Sequence, residues 1–356
     1  MRIMVLGGTG AMGMPLVKAL RDVGNEVYVT TRAERKSEDG IYYITGDAHQ
    51  EDFIKKLLGQ GRYDVVIDFM VYGSGELAER LDLLLDNTNH YFFFSSARVY
   101  AKSTGLITEE SPRLLDVCED GRYLQTDEYA LAKARGEDLL RESKRKNWTI
   151  IRPYITYNNQ RLQLGVYEKE NWLWRALKGR AIVLPKDIAS RTTTMTYGPD
   201  VAYAVAKLIE KAEGYGETYH ITTGECATWS QVLDIYLEAI EQRTGIRPDV
   251  IMPEDSRQLQ KVWNPAQIRY DRLYDRRFDG IKLEAVCGKI RFKSLRSGLA
   301  ECLNAFLDYP EWSGMNWRYE AWADRCAGER TPIRDIMGKR NKLRYLKWRY
   351  YNGKTI

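Results

Sequence analysis

A chain of 356 residues, 44% apolar and 29% charged, holds enough apolar side chains for a sizeable buried core and excludes a largely disordered polymer. Its net charge of +5 is uneven: residues 330–356 carry nine Lys or Arg against Asp335, a net of +8, which leaves the rest at −3. Five cysteines without a C-x-x-C pair and three dispersed histidines exclude a disulfide framework and a structural metal, and make the cytoplasm the expected compartment.

Residues 2–6, Arg-Ile-Met-Val-Leu, form a short apolar run that stops at Gly7-Gly8-Thr9-Gly10-Ala11-Met12-Gly13. Leu16, Val17, Leu20 and Val23 then recur at helical spacing until Gly24-Asn25, and residues 26–30 are strand-like again. Strand, glycine turn, helix and strand open a dinucleotide-binding βαβ unit. One glycine permits the tight turn, one lets the backbone approach a pyrophosphate, and one lets helix and strand pack closely. The helix N-terminus adds unpaired N–H groups and a positive dipole. The spacing of Gly7, Gly10 and Gly13 is G-x-x-G-x-x-G, not the commoner G-x-G-x-x-G.

The alternation continues with strands over 41–44, 63–69 and 90–95 and helices over 51–58 and 76–85. Val65-Val66-Ile67 and Tyr91-Phe92-Phe93-Phe94 have the continuous apolar character of central strands covered on both faces. A long helix over 129–146 precedes a strand at 148–152, and a helix over 200–211 and a strand over 218–222 return to the same sheet. The expected fold is α/β, a doubly wound parallel sheet (Rossmann fold), built from residues 1–155 plus about 193–222. Helices near 169–177, 230–242 and 294–306, separated by Pro, Gly and charged stretches, read as a smaller mixed α/β substrate lobe, about 156–192 and 223–329. It is expected over the carboxyl ends of the strands. Strand-like sequence begins at Arg2, so no signal peptide is expected, and no apolar run approaches the ~18 residues of a spanning helix.

The helix over 129–146 carries Tyr129-Ala130-Leu131-Ala132-Lys133. Residues i and i+4 share one helix face, so the phenol and the ammonium point into the same space. A lysine beside a tyrosine favours the phenolate, which can then pass protons near neutral pH.

The glycine turn, Ser95-Ser96 at a strand end and the Tyr129/Lys133 pair stand in an order that resembles the extended short-chain dehydrogenase/reductase family of nucleotide-sugar epimerases, dehydratases and ketoreductases. The resemblance covers about residues 1–285 and is most specific in the first 155. Ser96-Ala97-Arg98-Val99-Tyr100 fits the family's Ser or Thr followed three residues later by Val-Tyr, which selects Ser96 over Ser95. Tyr129 and Lys133 match the catalytic tyrosine and lysine, and Ile151-Arg152-Pro153 resembles the strand-end motif near the nicotinamide. Gly46-Asp47, followed by Ala48, resembles the acidic position at the adenine.

The resemblance implies hydride transfer between a nicotinamide and a sugar carbon, with Tyr129 exchanging a proton with the reacting oxygen. Lys133 would favour the phenolate and hold the nicotinamide ribose, and Ser96 would bond the reacting oxygen. Ser96 can also be read as a strand-terminal capping hydroxyl. Gly7, Thr9, Gly10, Ala11, Met12, Gly13, Thr31, Arg32, Asp47, Ala48, Phe69, Met70 and Pro153, with Tyr129 and Lys133, form the implied cofactor set. Eighteen residues after Gly13, an NAD-binding member would carry an acidic residue. Thr31-Arg32 stands there instead, which favours NADP over NAD because a hydroxyl and a guanidinium suit a 2′-phosphate. The alternative is Arg32 stacked on the adenine of NAD.

Ala97-Arg98 replaces the Asp-Glu of family dehydratases, which disfavours elimination and leaves a 4-ketoreductase or a 4-epimerase. Arg98, Tyr157, Arg161, Arg191 and Arg269 are the expected substrate residues, because guanidinium forks suit a nucleotide diphosphate. Asp68-Phe69-Met70-Val71 has bulky residues where typical members have small ones. It resembles an atypical branch that includes RNA-binding members, so a cofactor-sensing or RNA-binding protein without catalysis is the competing expectation. Retention of Ser96, Tyr129 and Lys133 favours chemistry over nucleic-acid binding. Family dimers pack through the helix bearing the tyrosine, so a homodimer is expected. Residues 330–356 read as a basic tail, either packed loosely on its own domain or attracted to an anionic membrane surface or acidic partner.

Overall fold

The computed structural model describes residues 1–351; Lys354, one of the nine cations of the C-terminal segment, lies outside the described residues. Seven strands form one parallel sheet: β1 (Arg2–Leu6), β2 (Glu26–Thr31), β3 (Ile41–Thr45), β4 (Tyr63–Asp68), β5 (Thr88–Phe94), β6 (Trp148–Pro153) and β7 (Glu217–Ile221). Their order is β7-β6-β5-β4-β1-β2-β3, and Ile3 of β1 lies in register between Val27 of β2 and Val65 of β4. The order reverses at β1, which is the topological switch point where this architecture opens a crevice at the carboxyl ends of its strands.

Successive residues of a strand point to opposite faces, and both faces here are covered. Ile3, Val5, Val29, Ile67 and Phe92 enter one core with α1 (Gly13–Asp22). Met4, Leu6, Val66, Tyr91 and Phe93 enter the other with α2 (Glu51–Leu58) and α3 (Ser74–Asp86). This is why the strands read as unbroken apolar runs.

The long helix α4 (Tyr129–Glu142), which packs on α3, starts where the Glu128 side chain accepts the Ala130 N–H. It can lie against α3 and the sheet because residue 136 is glycine: a Cβ there would come within 2.9 Å of both Leu77 and Phe93. The helix ends four residues short of the expected 146. Arg145 is drawn to Asp82 at 2.8 Å and to Asp86, and Asn147 donates to the Leu85 and Thr88 carbonyls, so the chain turns towards β6.

The sheet belongs to a compact unit made of Met1–Asn158, Thr194–Glu225 and Arg277–Leu295. Its later part adds α5 (Gly198–Ile209), which begins at Gly198-Pro199 because proline suits a first helical turn. It also adds α6 (Ile281–Cys287). Leu283, Cys287 and Ile290 join the core that holds α1 and α5, so residues 277–295 pack with the sheet although the sequence places them in the smaller lobe.

The second unit comprises Asn159–Thr193, Cys226–Arg276 and Arg296–Ile356. Inside it, fully buried Arg175 donates to Glu320 at 2.7 Å and to Asp324 at 2.8 Å. The Thr331 hydroxyl donates to Glu320 at 2.7 Å and its N–H to Asp324 at 2.7 Å, and Tyr345 donates to Asp324 at 2.6 Å. Ile336 and Tyr345 are buried against Trp317 and Ala321, so the basic segment is anchored through its helix Lys339–Leu346. Among the described residues no helix is long and apolar enough to cross a membrane.

Candidate active site

The glycine turn leaves the end of β1 at the switch point. Gly7 has φ +68°, and its N–H donates to the Thr30 hydroxyl at 2.9 Å, which pins the turn to β2. A Cβ on Gly13 would lie 2.4 Å from the Gly8 carbonyl oxygen, so only glycine lets α1 begin this close to the turn. A Cβ on Gly10 would meet nothing within 4 Å, and Met12, which precedes α1, offers no side-chain cap to its N–H groups. The Met14 and Leu16 N–H groups are bonded to the Gly10 and Met12 carbonyls, which leaves an open backbone edge beside the Gly13 N–H as the part that fits a pyrophosphate.

Beside the turn lies a cavity of about 280 Å³, walled by the ends of four adjacent strands. Gly7 and Thr9 follow β1, Thr31 ends β2 and Arg32 follows it, Asp47 and Ala48 follow β3, and Phe69 and Met70 follow β4. The Thr31 hydroxyl donates to the Ala33 carbonyl and accepts the Ala33 N–H, so it has no proton left for a phosphate. Arg32 is exposed, and among the described residues it forms no ion pair or hydrogen bond. Ala11 and Met12 belong to the turn itself, and Pro153 is buried at the end of β6.

Helix α4 connects with this cavity through Lys133. Its side chain is buried, its Nζ donates to the Met70 carbonyl at 2.7 Å, and the ammonium sits 4.7 Å from the centroid of the Phe93 ring. Burial pushes Lys133 down to about 8, against the opposing pull of the Asp68 and Glu137 charges. Tyr129, half-buried at the first position of α4, lies under the Arg98 guanidinium, whose central carbon is 5.2 Å from the ring centroid. Arg98 donates in turn to Glu128 at 2.7 Å, so the residue that caps α4 also holds the cation over the phenol.

Ser96 Oγ accepts the Arg98 N–H at 3.2 Å and caps the single turn Ala97–Val99. A hydroxyl that accepts one bond keeps its proton to donate, so capping and oxyanion binding are compatible. Ser95 is committed elsewhere, because it donates to Glu137 at 2.6 Å.

Glu137 is the residue that sequence reasoning missed. Its fully buried carboxylate accepts from Arg152 at 2.7 and 2.5 Å, from Arg141 at 3.2 Å and from Arg113 at 3.3 Å. Burial pushes this carboxyl up, yet Arg152, Arg141 and Ser95 together hold it below its ordinary value. The signal was available: Glu137 follows Lys133 by four residues on the same helix face, and Arg152 is the middle residue of Ile-Arg-Pro.

The expected substrate residues are dispersed. Arg98 is at Tyr129, whereas Tyr157 is fully buried with its ring packed 5.6 Å from that of Tyr197. In the second unit Arg161 pairs with Glu168 at 3.4 Å, Arg191 with Asp275 at 3.9 Å, and Arg269 donates to Gln260 at 2.7 Å. Exposed ion pairs of this kind contribute about 0–1 kcal/mol, too little to bar a competing ligand. Among the described residues no group of three His, Cys, Asp or Glu could hold a metal ion.

A family model described as the RmlD substrate binding domain matches residues 1–305. The chain belongs to that family, within the extended short-chain dehydrogenase/reductases. Solved structures share the fold of this family member. WbmH of Bordetella bronchiseptica, in complex with NAD+, aligns with a TM-score of 0.66 at 16% identity over 87% of this chain and 99% of its own. A UDP-glucuronic acid 4-epimerase from Bacillus cereus, in complex with UDP-glucuronic acid and NAD, aligns at 0.65 and 17% over 87% and 100%. A dTDP-glucose 4,6-dehydratase from Bacillus anthracis, in complex with NAD, aligns at 0.67 and 15% over 88% and 98%. Identities this low establish the fold and leave the reaction to the site. No curated protein sequence matches this chain.

Proposed function

We propose that this family member is an NAD(P)-dependent oxidoreductase or epimerase acting on a nucleotide-activated sugar. The observation that carries the proposal is the bond from Lys133 to the Met70 carbonyl, which brings the Tyr129 helix to the rim of the cavity beside the glycine turn. Gly7 to Gly13 would hold the pyrophosphate, and Asp47, Ala48, Phe69 and Met70 would enclose the adenosine. The bound nicotinamide would supply the two-electron redox chemistry. Tyr129 Oη would exchange a proton with the sugar oxygen, Ser96 Oγ would donate to that oxygen, and the Lys133 ammonium would favour the ionised phenol. The structural neighbours bound to NAD and UDP-glucuronic acid support the cofactor and substrate classes. A 4-ketoreductase or a 4-epimerase is the specific activity proposed.

The dinucleotide that copurifies with the protein tests this. NAD retained through turnover supports epimerisation, NADPH consumed with a 4-keto sugar supports reduction, and binding of neither dinucleotide sinks the proposal. Thr31 cannot donate to a phosphate without breaking its bond to Ala33, so a preference for NADP would rest on Arg32. Arg32→Asp is expected to weaken NADPH binding roughly tenfold or more, as for loss of a charged hydrogen bond, with little change for NADH. Equal losses for both would show that Arg32 does not read the 2′-phosphate.

A cofactor-sensing protein without turnover is the second reading. It is favoured by the Phe69 ring, tilted 35° with its centroid 4.0 Å from that of Phe94, and by the Met70 sulfur 3.0 Å from the position of a Cβ on Gly7, both bulky beside the turn. The basic C-terminal segment is a proposed contact for anionic membrane, because exposed Met337 and Leu343 stand among its cations. Flotation with vesicles rich in phosphatidylserine at low salt is expected to carry the full chain and to fail for a Leu343→Glu variant. Absence of the full chain from the floated fraction would end that idea.

A further inference from the structure

Next to Lys133 lies a group of buried polar side chains that the proposed chemistry does not use. Asp68, the last residue of β4, is completely buried. One carboxylate oxygen accepts from the Tyr91 hydroxyl at 2.7 Å and the Tyr72 hydroxyl at 2.9 Å, and the other accepts the Met70 N–H at 2.8 Å. The carbonyl of the same Met70 accepts the Lys133 ammonium. Asp68 therefore fixes the residue whose carbonyl receives the lysine.

A carboxylate in a sheet interior is expensive unless its bonds are satisfied. Three donors satisfy this one; burial still holds its carboxyl above the ordinary value, with the bonds from Tyr91, Met70 and Tyr72 and the Lys133 charge opposing that push. Asp68 faces Lys133 from β4, and Glu137 faces it from α4 itself. The phenols of Tyr72 and Tyr91 bound the carboxylate, and Arg80 of α3 lies 4.8 Å from the Tyr72 ring centroid. Arg80 is committed to the Ala48 and His49 carbonyls and to Glu76, and Glu137 to its three arginines. Asp68 is the anion whose bonds lead to Lys133.

We propose that Asp68 is a positioning residue for Lys133: through the Met70 backbone it fixes the ammonium, and with its charge it keeps that ammonium protonated inside the protein. The proposal rests on Lys133 belonging to the dinucleotide site, and it can be tested without turnover. In the full chain labelled with 13C at lysine Cε, the Lys133 signal, identified by its loss in Lys133→Met, can be followed against pH. The Asp68→Asn variant keeps the shape and removes the charge.

The Lys133 midpoint is expected to fall by about one pH unit, the scale of a single nearby charge in a protein interior. The alkaline limb of the activity profile should move with it. If Asp68→Asn does not fold, Tyr72→Phe removes one donor to the carboxylate and is expected to shift the midpoint in the same direction by less. A midpoint that stays put in a folded variant overturns the proposal, whether or not the enzyme is active. A shifted midpoint in a protein with no dinucleotide-dependent turnover would support the coupling while removing the enzymatic reading.

Discussion

Tyr129→Phe is expected to lower kcat by about 10²–10⁴, the usual contribution of a positioned acid or base. Fold and dinucleotide affinity should stay as in the parent. The separation follows from where the hydroxyl sits. Tyr129 is half-buried at the start of α4, and among the described residues its hydroxyl makes no hydrogen bond, so removing the oxygen leaves no partner unsatisfied. Lys133→Met should differ, because it strips the Met70 carbonyl of its donor and disturbs the rim of the cavity, so dinucleotide affinity falls together with kcat. Stopped-flow turnover and dinucleotide titration on both variants check this. Retention of more than a tenth of parental kcat by Tyr129→Phe would remove the phenol from the chemistry and favour the sensing alternative.

The largest loss of stability is expected at Glu137. Glu137→Leu leaves the guanidinium of Arg152, itself almost wholly buried, without its counter-charge, which costs about 3–5 kcal/mol. Arg113 and Arg141 keep Asp116 and Asp138 as partners, so the damage concentrates on Arg152. Replacing both members of the pair, Glu137→Leu with Arg152→Met, is therefore expected to recover much of the loss, because the uncompensated charge is gone. Urea unfolding of the single and double variants measures it, and equal losses in the two would show that the ion pair is not the cause.

Acid should act on the same group. The folded protein holds the Glu137 carboxyl below its ordinary value of 4.5, so as pH falls the unfolded chain takes up this proton first. Its contribution is whole above about 4.5 and disappears as pH drops through the lower folded value.

Much of the first unit was legible because its signals are local. The apolar run at residues 2–6, the glycines at 7, 10 and 13 and the periodic Leu16, Val17 and Leu20 each report on a few neighbours, and the strands of the sheet lie within a residue or two of their expected places. What escaped was burial of charge. Glu320 and Asp324, to which the sequence assigns no role, are sealed around Arg175, and Tyr345 in the basic segment completes that cluster. Asp68 read as part of a cofactor loop, whereas its partners Tyr72 and Tyr91 come from different elements. Residues 277–295 escaped for a related reason. Leu283, Val286, Cys287 and Ile290 pack on the main core at helical spacing, but that periodicity announces a short helix and not which unit it joins.

The late arrival of β7 has a consequence for synthesis. When β6 leaves the ribosome, one of its edges has no partner, and Glu217 is still 64 residues behind Pro153. At roughly 5–20 residues per second, the nascent chain would wait about 3–13 s with that apolar edge open. An unpaired edge of this kind is a template for pairing with another chain, so crowded polysomes carry a hazard that ends once Ile221 has emerged. Slowing elongation between residues 153 and 217 should therefore lower soluble yield more than slowing it after 221.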